Sequence, residues 1–427
     1  MNRHPILSAL ARNETRGSLK RVRSFLRHLG PTASYPIIHV AGTNGKGSVI
    51  RILAAILQQA GYQVGSFTSP HLQRLNERIQ VNNTEISDEA LDALLCHLDE
   101  QRRAWAREIG GGVEDNEATV SFFEMLTVAG LMHMGRAGVD IGLVEVGLGG
   151  RLDATNLVDP MVSAIVTVSM DHQDRLGPDI ASIASEKAGV IKPGRPVVVG
   201  PLTAGALKII QLVAAERDAP LSSSGEHFRT LRSEHGRFSW TCSGATLRDL
   251  PLGIPGDHQI DNAGVALAIL QKVSDRFPVS EDHISAGLAA VRHPGRLEWL
   301  DDDLLIDAAH NADGAASLAR YLSTLSRDRP RTLVLGASQG KDFRTMVVLL
   351  APHIDKVLTT HGRHRRAAQA SEIAESLVGI NLPILPAGPI EQALPMARDR
   401  RSLVIVAGSV YIAGAARDIF EGNWREQ

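Results

Sequence analysis

A chain of 427 residues is too long for one ordinary hydrophobic core, and about two or three domains are expected of it. With 44% hydrophobic and 22% charged residues the composition is that of a soluble globular α/β protein, and a net charge of −2 provides no global basic field to recruit nucleic acid or anionic membrane. Cys96 and Cys242 are too few for a disulfide framework or a cysteine zinc site. Residues 1–27 are interrupted by charges that leave no signal-peptide core, and no later apolar run reaches bilayer-spanning length, so a cytoplasmic protein with neither membrane nor nucleic-acid partner is expected.

In chain order, residues 1–30 read as short helices with one apolar face. Ile37 to Val40 is an apolar run, and Val49 to Ala60 repeats its apolar residues at helical spacing. Between them lies His39-Val-Ala-Gly-Thr-Asn-Gly-Lys-Gly-Ser48, a strand, glycine loop and helix that together make a phosphate cradle: turned-in N–H groups, a positive helix end and the mobile charge of Lys46. The spacing departs from G-x-x-x-x-G-K-[ST], because Gly42 lies three residues before Gly45 and Gly47 separates Lys46 from Ser48. Gln63 to Thr68 is a second strand, stopped at Ser69-Pro70. Helices are expected over Asp88–Glu108 and Ser121–Arg136, the second carrying a lone Glu124, with Gly110 to Gly112 as a flexible break between them. Strands follow at Ile141–Val146, Val162–Val168 and Pro196–Gly200, with a helix over Ile180–Ala188 and weakly alternating hairpins over 221–250. Asp261–Val273 and Ile284–Val291 read as helices. At His293-Pro-Gly-Arg-Leu297 the pattern breaks as at a hinge, and αβ alternation restarts with strands at Leu304–Ala308, Thr332–Leu335, Val357–Thr360 and Leu403–Ala407 and helices at Gly314–Leu325 and Phe343–Leu350. The division expected is 1–292 and 293–427.

Polar residues at strand ends are the candidates for chemistry, because parallel sheets bind ligands at their carboxyl edge. Glu145 ends an apolar strand, where a charge is costly unless met by a cation or hydrogen bonds; either a metal or an ion pair with Arg151 satisfies it. Asp171 and His172 follow the next strand. Together with the loop hydroxyls, Glu145 and His172 would form an oxygen-rich magnesium site with one imidazole. By pattern alone Lys187 is a surface lysine on a helix, Ser69 a turn residue, and Asp261 or Asn262 an N-cap. Asp307 to Asn311 again puts polar groups after an apolar strand, and Arg296 lies in the hinge, so polar strand ends of two domains would sandwich a nucleotide.

These stretches, with Thr68-Ser-Pro-His-Leu72, Leu75-Asn-Glu-Arg78, Glu186-Lys-Ala-Gly189, Pro294-Gly-Arg-Leu-Glu298 and Gly408-Ser409, resemble in order the folylpolyglutamate synthase/dihydrofolate synthase family of the Mur ligase superfamily. The resemblance runs from about residue 20 to the end. It implies an α/β fold with an N-terminal P-loop-type parallel-sheet ATPase domain and a smaller Rossmann-like C-terminal domain, the latter closing over the nucleotide and contributing to the glutamate site. It also implies an ATP-dependent amide ligase that adds L-glutamate to dihydropteroate, to folates, or to both, through an acyl phosphate, and a monomer. By similarity Gly45, Lys46, Gly47 and Ser48 hold phosphates, Asn262, Arg296, Asp307 and His310 contact ATP, and Ser69, Glu145 and His172 are magnesium ligands. Lys187 corresponds to a lysine carbamylated in the family to bind a second magnesium. Lys46, His172 and Lys187 are the expected catalytic residues. Asn311-Ala312 departs from the family's Asn-Pro, and Asp174-Arg175 from an aromatic after the aspartate, which touches the pterin side more than the nucleotide side. A ligase acting on another acid, and a nucleotide-binding module without ligase chemistry, are the alternatives.

Overall fold

The computed structural model describes residues 4–10, 19–30, 33–109, 120–233, 236–363, 366–398 and 402–423. The glycines at 110–112 therefore lie outside the described residues. Two units are resolved by their internal contacts: residues 1–253 with 260–291, and residues 254–259 with 292–427.

The first unit opens with helices α1 (Pro5–Leu10) and α2 (Leu19–Leu29). Its main sheet contains β1 (Ile37–Ala41), β2 (Val64–Phe67), β3 (Ile79–Val81), β4 (Thr84–Glu85), β5 (Ile141–Glu145), β6 (Val162–Ile165), β7 (Val197–Val199) and β8 (Leu221–Ser223), in the order β4-β3-β2-β5-β1-β6-β7-β8. From β2 to β8 the neighbours are parallel, whereas β2-β3-β4 is antiparallel, so the sheet is mixed. Helices α3 (Lys46–Gln59), α4 (Asp88–Glu108), α5 (Phe122–Arg136), α6 (Gln173–Leu176), α7 (Ile180–Ala188), α8 (Ala204–Glu216), α9 (Asp257–Lys272) and α10 (Glu281–Ala290) complete it, the opening turn of α9 grouping with the second unit. The central strands are buried throughout, which is why β1 and β5 read as unbroken apolar runs. Residues 221–250 divide. Leu221–Ser223 extends the parallel sheet, and β9 (Phe228–Arg232), β10 (Phe238–Cys242) and β11 (Ala245–Leu250) form a separate antiparallel meander. In place of a helix starting at Asp261, α9 begins at Asp257, so Asp261 and Asn262 are interior rather than caps. Asp261 instead accepts hydrogen bonds from Thr230 Oγ1 at 3.3 Å and Arg232 Nη2 at 3.4 Å, which tie the meander to the helix.

The second unit holds β12 (Glu298–Asp301), β13 (Leu304–Ile306), β14 (Arg331–Leu335), β15 (Lys356–His361), β16 (Ile384–Pro389) and β17 (Leu403–Ala407), ordered β12-β13-β17-β14-β15-β16 with only β12 antiparallel. Helices α11 (Ala312–Ser323), α12 (Phe343–Leu350), α13 (Ala370–Ser376), α14 (Ile390–Ala397) and α15 (Val410–Phe420) accompany it. Two edge strands, β12 and β16, escape a reading by pattern because each is half exposed, and β16 carries two prolines. Among the described residues no helix is long and apolar enough to cross a membrane.

Glu124 is not alone. Its carboxylate receives both contacts from Arg21 Nη2, at 2.8 and 2.9 Å, and closes a capping box by accepting the Ser121 N–H at 2.7 Å. Both side chains are buried, so removing one partner strands the other charge in the core. Arg21→Met or Glu124→Leu alone is expected to lower stability by about 3–5 kcal/mol in urea titrations, and the double variant to recover much of that loss. Additive losses in the double variant would show that the pair is not the reason for either residue.

Candidate active site

The glycine loop is held by its own backbone conformation and by the segment that follows β6. β1 leads to Gly42, and Gly45 ends the loop as the N-cap of α3 with φ 83°, a left-handed conformation that a side chain would strain. Glycine at the cap offers no side chain of its own to accept from the first turn of α3. The segment following β6 holds the loop in place: the Thr43 N–H donates to the Thr167 carbonyl at 2.9 Å, the Asn44 N–H to Thr167 Oγ1 at 2.9 Å, and the Ser169 N–H to Thr43 Oγ1 at 3.1 Å. Asn262 lies against the same loop, since a Cβ on Gly45 would come within 2.4 Å of its Oδ1. Ser48 is buried in the first turn of α3.

Lys46 folds back over the loop, donating to the carbonyls of Gly42 at 3.1 Å and Thr43 at 3.2 Å, with its Nζ 4.0 Å from Glu145 Oε1. Glu145 is the last residue of β5, buried, and accepts the Ser69 N–H at 3.0 Å. Ser69 is there because β2 runs parallel to β5. The alternative pairing of Glu145 with Arg151 does not occur: the Arg151 guanidinium binds Glu186 Oε1, through Nη2 at 2.7 Å and Nε at 3.1 Å. The loop after β5 turns Arg151 toward α7.

Lys187 is not a surface lysine. On α7 the buried residues are Ile183, Ala184, Lys187 and Ala188, so the lysine shares the helix's core face and is only 2% exposed. Burial and the nearby Lys46 charge push its amine down to about 7, against the opposing pull of Asp171 and Asp153. At neutral pH a large fraction of this amine is therefore uncharged and nucleophilic.

His172 follows β6 and opens α6 with a left-handed φ of 51°, its half-exposed ring 3.9 Å from Asp171 Oδ1. Among the described residues no group of three or more His, Cys, Asp and Glu side chains is arranged to hold a metal ion. Glu145 carboxylate and serine hydroxyl are nonetheless hard oxygen donors of the kind magnesium accepts alongside substrate phosphate oxygens, and Lys46 Nζ stands 4.0 Å from that carboxylate.

Asp153 is a participant that residue pattern did not single out. It is buried, and burial pushes its carboxyl pKa up against hydrogen bonds from Thr155 and from backbone N–H groups. Thr155 Oγ1 donates to Asp153 Oδ1 at 2.5 Å and is met at 2.8 Å by His39 Nε2, whose ring burial depresses to about 3, so it stays neutral. The signal available in the sequence was a second acidic residue inside a glycine-rich loop.

In the second unit Asp307 follows β13 and is buried; its two oxygens accept the Leu297 N–H and the Ala309 N–H, each at 2.8 Å, stapling the 295–297 turn to the strand end. Arg296 lies in that turn, and its Nη1 donates to the Gly295 carbonyl at 3.3 Å. His310 Nδ1 lies 3.0 Å from the Ala308 carbonyl, and Asn311 caps α11 by accepting the Gly314 N–H. His258, in the opening turn of α9, is partly buried; desolvation lowers its pKa, and it feels the charges of Asp307, Arg320, Arg296 and Asp313.

Residues 40–270 match the Mur ligase middle domain and residues 295–410 the Mur ligase glutamate ligase domain. A dihydrofolate synthase/folylpolyglutamate synthase of Mycobacterium tuberculosis is 33% identical over 94% of this chain and 90% of its own length. Among solved structures, a Mycobacterium tuberculosis folylpolyglutamate synthase complexed with ADP and AMPPCP superposes with a TM-score of 0.88 at 32% identity, covering 99% of both chains. A bifunctional folylpolyglutamate synthase/dihydrofolate synthase with manganese, AMPPNP and L-glutamate bound gives 0.86 at 31% identity, covering 98% of both. Similarity of this extent in sequence and in backbone makes the chain a member of the dihydrofolate synthase/folylpolyglutamate synthase family of Mur ligases.

Proposed function

We propose that the protein is an ATP-dependent amide ligase joining L-glutamate to dihydropteroate, to folates, or to both. The observation that carries this reading is the gathering of Lys46, Glu145 and Ser69 at the glycine-capped N-terminus of α3, within a chain similar over nearly its whole length to enzymes of that name. Gly45 to Ser48 hold the β- and γ-phosphates through backbone N–H groups, and Lys46 leaves its carbonyl acceptors for the transferring phosphoryl group. The substrate carboxylate attacks the γ-phosphorus and ADP departs, giving an acyl phosphate. The amine of glutamate then adds to the acyl carbon, and the tetrahedral adduct expels phosphate while the nitrogen loses a proton. Positioning and charge neutralisation do most of this work. Asn262, Arg296, Asp307 and His310 are assigned to the nucleotide.

Ser69, Glu145 and His172 would hold magnesium, with carbamylated Lys187 holding a second ion, and bound magnesium would neutralise charge on the transferring phosphate. The carbamate assignment is supported by the burial of Lys187 and by its lowered proton affinity. In that modification the uncharged Nζ attacks the carbon of CO2, a C–O π pair moves onto oxygen, and one N–H proton passes to water. A cation becomes an oxygen ligand.

With ATP, magnesium and glutamate, ADP is expected to form only when dihydropteroate or a folate is added; no ADP with any member of a pteroate and folate panel would sink the proposal. Lys46→Ala is expected to lower kcat by about 10²–10³-fold or more, the scale of removing one preorganised stabilising donor, with the fold retained by circular dichroism. Near-normal turnover would remove Lys46 from the phosphate site. Grown or incubated with ¹³C-bicarbonate, the protein is expected to show a lysine carbamate resonance that Lys187→Ala eliminates along with turnover. A resonance unchanged in that variant would move the carbamate elsewhere.

A further inference from the structure

Gly150, in the loop after β5, and Gly189, at the end of α7, lie on the two sides of one close approach, and backbone conformation does not explain either. Gly189 ends α7 with an ordinary helical φ of −58°, and Gly150 is not among the residues with positive φ. Both are instead short of space. A Cβ on Gly189 would lie 2.3 Å from Arg151 Cβ and 2.5 Å from Arg151 Cα, and a Cβ on Gly150 would lie 2.9 Å from the Glu186 carbonyl oxygen and 3.0 Å from that of Lys187. The backbone of the loop therefore lies directly on the last turn of α7. Hydrogen bonds lock it there. The Arg151 N–H donates to the Glu186 carbonyl at 2.8 Å, and its guanidinium to the Glu186 carboxylate. Asn156 Nδ2 reaches from the loop's far end to the Gly189 carbonyl at 3.2 Å and to the Arg151 carbonyl at 3.1 Å. Asn156 is itself held, because Lys192 Nζ donates to its carbonyl and to its Oδ1, both at 2.9 Å.

The residues gripped are Glu186 and Gly189, on either side of Lys187. A loop packed merely to cover a helix end would have no reason to bracket that one turn with two contact-forced glycines and a doubly anchored amide.

We propose that residues 147–156 form a bracket for Lys187, in which Gly150, Gly189 and Asn156 are positioning residues that hold the amine where it takes up and retains CO2. The inference rests on the carbamate reading above. A carbamate reverts to amine and CO2 unless it is kept in place, so a loosened bracket demands more CO2 for the same occupancy.

The test is carbamate occupancy, read by ¹³C NMR as bicarbonate is raised, in the full-length wild type, Asn156→Ala and Gly150→Ala, with ADP affinity by calorimetry as a control on the glycine loop at 42–45. The bicarbonate needed for half occupancy is expected to rise about tenfold in Asn156→Ala, the scale of one lost buried hydrogen bond, and further in Gly150→Ala. Turnover should recover at high bicarbonate, which damage unrelated to CO2 uptake would not allow, and ADP affinity should stay within about twofold, since the bracket leaves the phosphate loop's own hydrogen bonds in place. Unchanged half occupancy in Asn156→Ala, the milder variant and the deciding one if Gly150→Ala does not fold, overturns the bracket while leaving the carbamate standing. Absence of any carbamate resonance in wild type overturns both.

Discussion

Because β5, β1 and β6 run parallel and in register, Val40 pairs with Glu145 on one side and with Ala164 on the other, and the chain leaves all three strands at the same edge. Everything at the first unit's candidate site follows from that alignment. The exit from β1 is the glycine loop, the exit from β5 is Glu145 with the 147–156 loop, and the exit from β6 is the segment whose Thr167 and Ser169 pin the glycine loop. β2, parallel to β5, delivers Ser69 to the Glu145 carboxylate. Ligand sites at the carboxyl edge of such sheets are general, since helix N-termini and strand-end loops converge there.

Charge is distributed across this edge unevenly, and burial decides the state of each group. Lys187 is kept partly uncharged by the same desolvation that holds His39 neutral and raises the Asp153 carboxyl. Lys46, by contrast, rests on carbonyls of its own loop, a set of acceptors it can exchange for phosphate oxygens with little rearrangement of the backbone. An edge that mixes a mobile cation, a fixed carboxylate and a reactive buried amine is suited to phosphoryl and acyl transfer, where the protein's contribution is mainly placement of charge.

The second unit repeats the principle with different residues. Asp307 spends both oxygens on backbone N–H groups and so fixes the 295–297 turn that carries Arg296. Away from that edge Arg331, fully buried at the start of β14, is satisfied by the carbonyl of Leu322 in the last turn of α11 and by those of Leu325 and Ser326 just beyond it. A buried guanidinium with enough carbonyl partners is an acceptable way to close a helix.

Periodicity and local chemistry in the sequence determined the central strands, most helices, and the loop at 42–48, because buried parallel strands are continuous apolar runs and a glycine loop between strand and helix has few other uses. They also determined that Glu145 needed a partner. Tertiary structure alone decided which one, replacing Arg151 with Ser69 and Lys46, because partners across a sheet or 35 residues along the chain leave no local trace. The same holds for Glu124 and its distant Arg21. Lys187 lies between these cases. Its spacing of four from Ile183 already put it on the apolar face of α7, but a lone lysine at such a position usually snorkels to solvent, and only the tertiary structure shows this one to be buried.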